Sequence, residues 1–65
     1  MSDPAEHFAR LTMQLEDLHG LTVEGQRKDQ PPEHLLCLSR QVRAGLERGL
    51  RACSKIEQMC GGTYD

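Results

Sequence analysis

Bulky aromatic side chains are nearly missing from this sequence, which has no tryptophan, one phenylalanine (Phe8) and one tyrosine (Tyr64). In 65 residues that leaves little material for a self-sufficient core, because aromatic rings bury the most surface per side chain. Chains this short yield only a few kcal/mol from burial unless a disulfide, a metal or a partner helps. Stabilisation by association is the expectation.

Long hydrophobic runs are also missing. No stretch approaches the roughly 18 apolar residues that a membrane span needs. The opening Met1-Ser2-Asp3-Pro4 lacks the basic and apolar regions of a secretory signal. Three cysteines, Cys37, Cys53 and Cys60, are an odd number without framework spacing. Free thiols in a reducing cytoplasm are the simplest expectation, with an intermolecular disulfide at Cys60 the remaining use. There is no phosphate loop, no paired-carboxylate cleft, and no nucleophile with a base beside it. The sequence is therefore read as that of a non-enzyme without a cofactor. Strand-like alternation, internal repeats and low-complexity tracts are absent too.

What the chain does have is helical periodicity. From Pro31 to Cys60, a period of 100° per residue sets Leu35, Leu38, Val42, Leu46, Gly49, Cys53, Ile56 and Cys60 on one stripe. Arg40, Arg43, Arg48, Arg51 and Lys55 fall on the other side. Gly45, Gly49 and Ala52 place small residues along the stripe, which lets another helix come close. The Gly45-xxx-Gly49 spacing is weak evidence by itself outside a membrane. Pro31-Pro32-Glu33 reads as a helix start, with Asp29 or Gln30 near the cap, and Gly61-Gly62 reads as its stop.

Upstream, Asp3 suits an N-cap, Pro4 the first helical position, and Glu6 completes a capping-box pattern. Phe8, Leu11, Leu15, Leu18 and Thr22 follow at alternating spacings of three and four, a heptad seam. Gly20 and Gly25 weaken the second half by about 1 kcal/mol each, yet the helix is expected to run on. The predicted fold is an all-α antiparallel hairpin: helix 1 over 4–27, a turn over 28–31, helix 2 over 32–60 and a loose tail over 61–65. Such a hairpin pairs with a partner or self-dimerises into a four-helix bundle.

The net charge of −2 implies no partner by itself, but acids outnumber bases up to Lys28 and the reverse holds after Pro31. Opposite balances on two antiparallel helices attract weakly, within the limits of screening. His34 and Cys37, at i and i+3, could reach one metal. A structural zinc site usually needs four ligands, so an ordinary first-turn histidine is the simpler reading. Cys53 and Cys60 are read as small core residues, since free cysteine packs as a hydrophobe and no activating base is visible. The basic face could meet nucleic-acid phosphates. Glu47 interrupts it, however, and it carries no aromatic ring for base stacking, so a solvated face is the default.

The run Pro32-Glu33-His34-Leu35-Leu36-Cys37-Leu38-Ser39-Arg40-Gln41-Val42-Arg43-Ala44-Gly45-Leu46-Glu47-Arg48-Gly49-Leu50 resembles the small E-type co-chaperones of the type III secretion needle. Like them it has a Pro-Glu turn, apolar residues, a Gln-x-Arg-Ala segment and a Gly-Leu near mid-helix. The resemblance is specific over about thirty residues and covers the first helix in pattern. It implies a cytoplasmic chaperone component that binds a helical-repeat partner chaperone. Together the two keep the needle subunit soluble and unpolymerised before export.

Partner contacts are then expected at Leu35, Leu36, Leu38, Val42, Gly45, Leu46, Gly49, Leu50, Cys53 and Ile56. Leu36 and Leu50, at the stripe's edge, point most directly to an intermolecular surface. The alternative is a homodimeric four-helix bundle that binds RNA through its polar face or serves as an adaptor.

Overall fold

A computed structural model describes residues 3–61, and it shows two α-helices packed against each other. Helix α1 spans Pro4–Gly25 and α2 spans Pro32–Met59. Glu24 meets His34 and Leu18 meets Gly45, while Leu11 lies against Gly49. Positions rise along one helix as they fall along the other, so the pair is an antiparallel hairpin. The expected tail beyond Gly61 lies outside the described residues.

The helix ends follow from their local chemistry. Asp3 has extended backbone, and its Oδ1 accepts from the backbone N–H groups of Ala5 at 2.7 Å and Glu6 at 3.2 Å. Two of the donors that every helix start leaves unpaired are thereby satisfied. Pro4 sits in the first turn, where its missing N–H costs nothing. Helix α1 passes through Gly20 and ends at Gly25, two residues short of the expected Arg27.

The connection corrects the expected cap of α2. Its N-cap is Pro31, extended and without a side-chain hydrogen bond. Asp29 instead adopts a left-handed backbone with φ 66°, a conformation that aspartate tolerates better than most residues. The Gln30 side-chain amide donates to the carbonyls of Glu24 at 2.7 Å and Arg27 at 2.9 Å. Gln30 thus closes α1 rather than opening α2. His34 Nε2 lies 2.8 Å from Glu24 Oε2, joining the two helix ends, although both side chains are two-fifths exposed and the pair adds little stability. At the far end, Gly61 has φ 73°, the left-handed residue that commonly follows a helix.

The inner seam is formed by His7, Leu11, Gln14, Leu18 and Leu21 of α1. Leu38, Val42, Gly45, Gly49, Ala52 and Ile56 of α2 face them, all buried or half-buried. Both rows keep heptad spacing, but each is rotated from the expected one. His7, Gln14 and Leu21 replace Phe8, Leu15 and Thr22, while Gly45 and Ala52 replace Leu46 and Cys53. Leu11 and Leu18 on α1, and Leu38, Val42, Gly49 and Ile56 on α2, belong to both readings.

The reason is close approach. Leu18 packs over Gly45 so tightly that a Cβ placed there would lie 2.5 Å from Leu18 Cδ2. Turning the leucine row inward instead would hold the helix axes apart. The resulting core is thin, with Leu18, Leu38 and Ile56 the buried hydrophobic residues.

Gly20 stands in open space, and a Cβ added to it would have nothing within 4 Å. Gly20→Ala is therefore expected to stabilise the hairpin by about 1 kcal/mol through helix propensity alone. A thermal melt followed by circular dichroism reads this as a rise in Tm. An unchanged or lower Tm would show that this stretch of α1 contributes nothing to the cooperative unit.

Candidate partner-binding groove

Rotation of the seam leaves a second apolar row on each helix without a partner inside the hairpin. The two rows flank one groove of about 620 Å³, lined by Phe8, Leu11, Leu15 and Leu18 from α1 and by Leu46, Leu50 and Cys53 from α2. Gly45 and Gly49 form its floor. Phe8 is 56% exposed, Leu15 61%, Leu46 54% and Leu50 68%. Residues 8 to 18 rise about 15 Å along α1, or close to three helical turns. A helix carrying apolar side chains at i, i+3 or i+4, and i+7 matches that length and chemistry.

One polar atom complicates the floor. The Oε1 of Gln14 is buried with no hydrogen-bond partner among the described residues. It would lie 3.8 Å from a Cβ placed on Gly49. Leaving such an acceptor unpaired costs about 1–3 kcal/mol. Gln14→Leu is accordingly expected to raise stability by about 1 kcal/mol or more, measured by urea unfolding with an unchanged m-value. A lower midpoint would mean that Gln14 is satisfied in solution.

The expected contact residues divide into three groups. Leu46, Leu50, Cys53, Gly45 and Gly49 come together at the groove. Leu35 and Leu36 are exposed but lie off it, toward the start of α2. Leu38 and Ile56 are buried and Val42 is half-buried in the seam. Contact with a partner at Leu38 and Ile56 would require opening the hairpin.

Cysteine burial is corrected: Cys37, Cys53 and Cys60 are all free and exposed. Ala52 takes the inward position, and one residue further the helix has turned Cys53 toward the groove. The α1 wall, Phe8, Leu11, Leu15 and Leu18, is absent from the expected contacts. Its signal is the heptad spacing, which on pattern alone reads as interior.

The basic face also divides. Arg48, Arg51 and Lys55 line a second, shallower groove of about 220 Å³, where His7, Arg10, Gln14 and Ala52 join them from both helices. Arg40 and Arg43 do not reach it. Among the described residues, no group of three histidine, cysteine or acidic side chains converges as a metal site. His34 is instead placed beside Glu24, away from any such cluster. Among the described residues, no helix is long and apolar enough to cross a membrane.

Fold and groove together define a class: a two-helix hairpin with one seam closed internally and a second left open. No protein-family model matches the chain, and comparisons with curated proteins and with solved structures find no match.

Proposed function

We propose that the chain is a non-catalytic co-chaperone whose open groove is filled by an amphipathic helix of a partner protein. The observation that carries this reading is the group of four large apolar side chains, Phe8, Leu15, Leu46 and Leu50, each more than half exposed along one groove. A row of this kind on so thin a core favours a bound state in which it is covered. The resemblance of residues 32–50 to the E-type needle co-chaperones supplies the particular version. The partner is then a cytoplasmic helical-repeat chaperone, and the complex keeps a type III secretion needle subunit from polymerising.

A photo-reactive amino acid introduced at Leu50 tests this in the native cells, with the same group at the remote Arg40 as control. Cross-linking of a helical-repeat protein from position 50 and not from position 40 is the expected result. Cross-linking from position 50 to a second copy of the chain alone would overturn it, and would identify a self-paired four-helix bundle instead.

A further inference from the structure

The two grooves lie on opposite sides of the plane that contains the helix axes. Going round α1 from its seam, Phe8 and Leu15 fall on one side and Arg10 on the other. On α2, Leu46, Leu50 and Cys53 fall on the first side, and Arg48, Arg51 and Lys55 on the second. The hairpin is thin across its narrowest dimension, 15 Å, so each side is a complete surface at the same level of the molecule.

The second surface is built from both helices. Arg48, Arg51 and Lys55 stand at i, i+3 and i+7, a row about 10 Å long on a helical rise of 1.5 Å per residue. Arg10 and the buried His7 face them from α1, and among the described residues no acidic side chain lines the groove. None of these side chains takes part in an ion pair among the described residues. The charges of Arg10, Arg48, Arg51 and Lys55 are therefore available to a ligand and are not spent within the fold. Gln14 and Ala52 lie between the two helices' cations, leaving a shallow trough in which another rod can rest.

We infer that this surface is a docking site for an acidic helix of a partner protein, used independently of whatever fills the apolar groove on the reverse side. Carboxylates at i, i+3 or i+4, and i+7 of an α-helix have the same pitch as the row of Arg48, Arg51 and Lys55, and arginine pairs with carboxylate in bidentate geometry. Nucleic acid is the less suitable occupant. Among the described residues no phenylalanine, tyrosine or tryptophan lines the trough, so a base has no large ring on which to stack. The hairpin is thereby a two-sided adaptor, with one face selecting apolar and the other acidic helices.

The test uses the full chain and a fluorescein-labelled, alanine-based helical peptide of about 20 residues with glutamate along one face, followed by anisotropy in low salt. Binding is expected, with about tenfold loss when Arg48→Gln, Arg51→Gln and Lys55→Gln are combined. The pair Arg40→Gln and Arg43→Gln, equally neutralising per residue but outside the trough, is expected to leave affinity unchanged. All five positions are exposed, and circular dichroism verifies that each variant is folded. Leu46→Gln combined with Leu50→Gln, on the apolar face and without a change of charge, should bind the acidic peptide as the parent does.

Equal losses in the two glutamine-substituted sets would overturn the site, since attraction would then be to net charge alone. Tighter binding of a single-stranded polyuridylate of matched charge would overturn the acidic-helix assignment in favour of nucleic acid. Failure to bind the peptide at all would also overturn the proposal, leaving the reading of the apolar groove untouched.

Discussion

Gly45→Leu is expected to pull the hairpin apart. A Cβ at this position would already lie 2.5 Å from Leu18 Cδ2 and 3.2 Å from Leu18 Cγ, inside normal contact distance. Leu18 is itself buried in the seam, so it can yield only by swinging toward the open groove. For Gly45→Ala, a gain of about 1 kcal/mol in helix propensity opposes an overpacking cost of about 1–3 kcal/mol. A modest net loss results.

Leucine adds a branched side chain for which the seam has no space. Leu18, Leu38 and Ile56 are the buried hydrophobic residues among those described, so displacing Leu18 removes a large share of the core. Thermal melts by circular dichroism should show a broad, low-temperature transition or none. Gly49→Ala is the matched control. Its Cβ would sit 3.7 Å from Leu11 Cδ2, an ordinary contact, and the melt should shift upward or stay in place. Parent-like melting of Gly45→Leu would show that close approach at Gly45 does not set the seam.

The second large effect concerns binding and leaves folding alone. Leu46→Asp combined with Leu50→Asp is expected to abolish partner capture while helicity is retained. Both side chains are more than half exposed in the hairpin, so neither contributes much to its core. In a filled groove each would be worth about 1.5–3 kcal/mol of apolar burial. Losing both, and burying carboxylates in their place, should weaken binding by at least about a hundredfold.

The contrast is Leu38→Asp on the same helix. At 6% exposure Leu38 lies inside the seam, and a carboxylate there should unfold the chain. Isothermal titration with the captured partner, beside circular dichroism of each variant, separates the two outcomes. Undiminished partner affinity in the Leu46/Leu50 variant would remove this groove as the binding site.

Local chemistry made the helices legible. The Asp3 cap, Pro4 and Pro32 in first turns, and the left-handed Gly61 after α2 all sit where turn and capping preferences put them. A two-helix all-α fold follows from two amphipathic segments with a short connection between them. The role of Gln30 is not local, because closing α1 depends on its side chain folding back over carbonyls of Glu24 and Arg27. That return path exists only once the chain has turned at Asp29.

Rotation of each helix about its axis is where sequence pattern ran out. On α1 the row of His7, Gln14 and Leu21 and the row of Phe8, Leu15 and Thr22 lie side by side, with Leu11 and Leu18 shared between them. Hydrophobicity favours the second row as interior, and the molecule uses the first. The same holds on α2, where Gly45 and Ala52 are turned inward and Leu46 and Cys53 are not. Periodicity measures how apolar each face is, but it carries no information on how near the opposing backbone can come.

By itself, then, the sequence determined that there are two helices, near where they begin and end, and that more apolar surface exists than one hairpin seam can cover. Tertiary structure alone decided which surface is covered. The small residues of α2 admit Leu18 at close range, and that contact turns Phe8, Leu15, Leu46 and Leu50 outward. It also gathers Arg10 with Arg48, Arg51 and Lys55 on the reverse side. Both grooves come from a steric choice between neighbouring helical rows, and such a choice exists only when two helices meet.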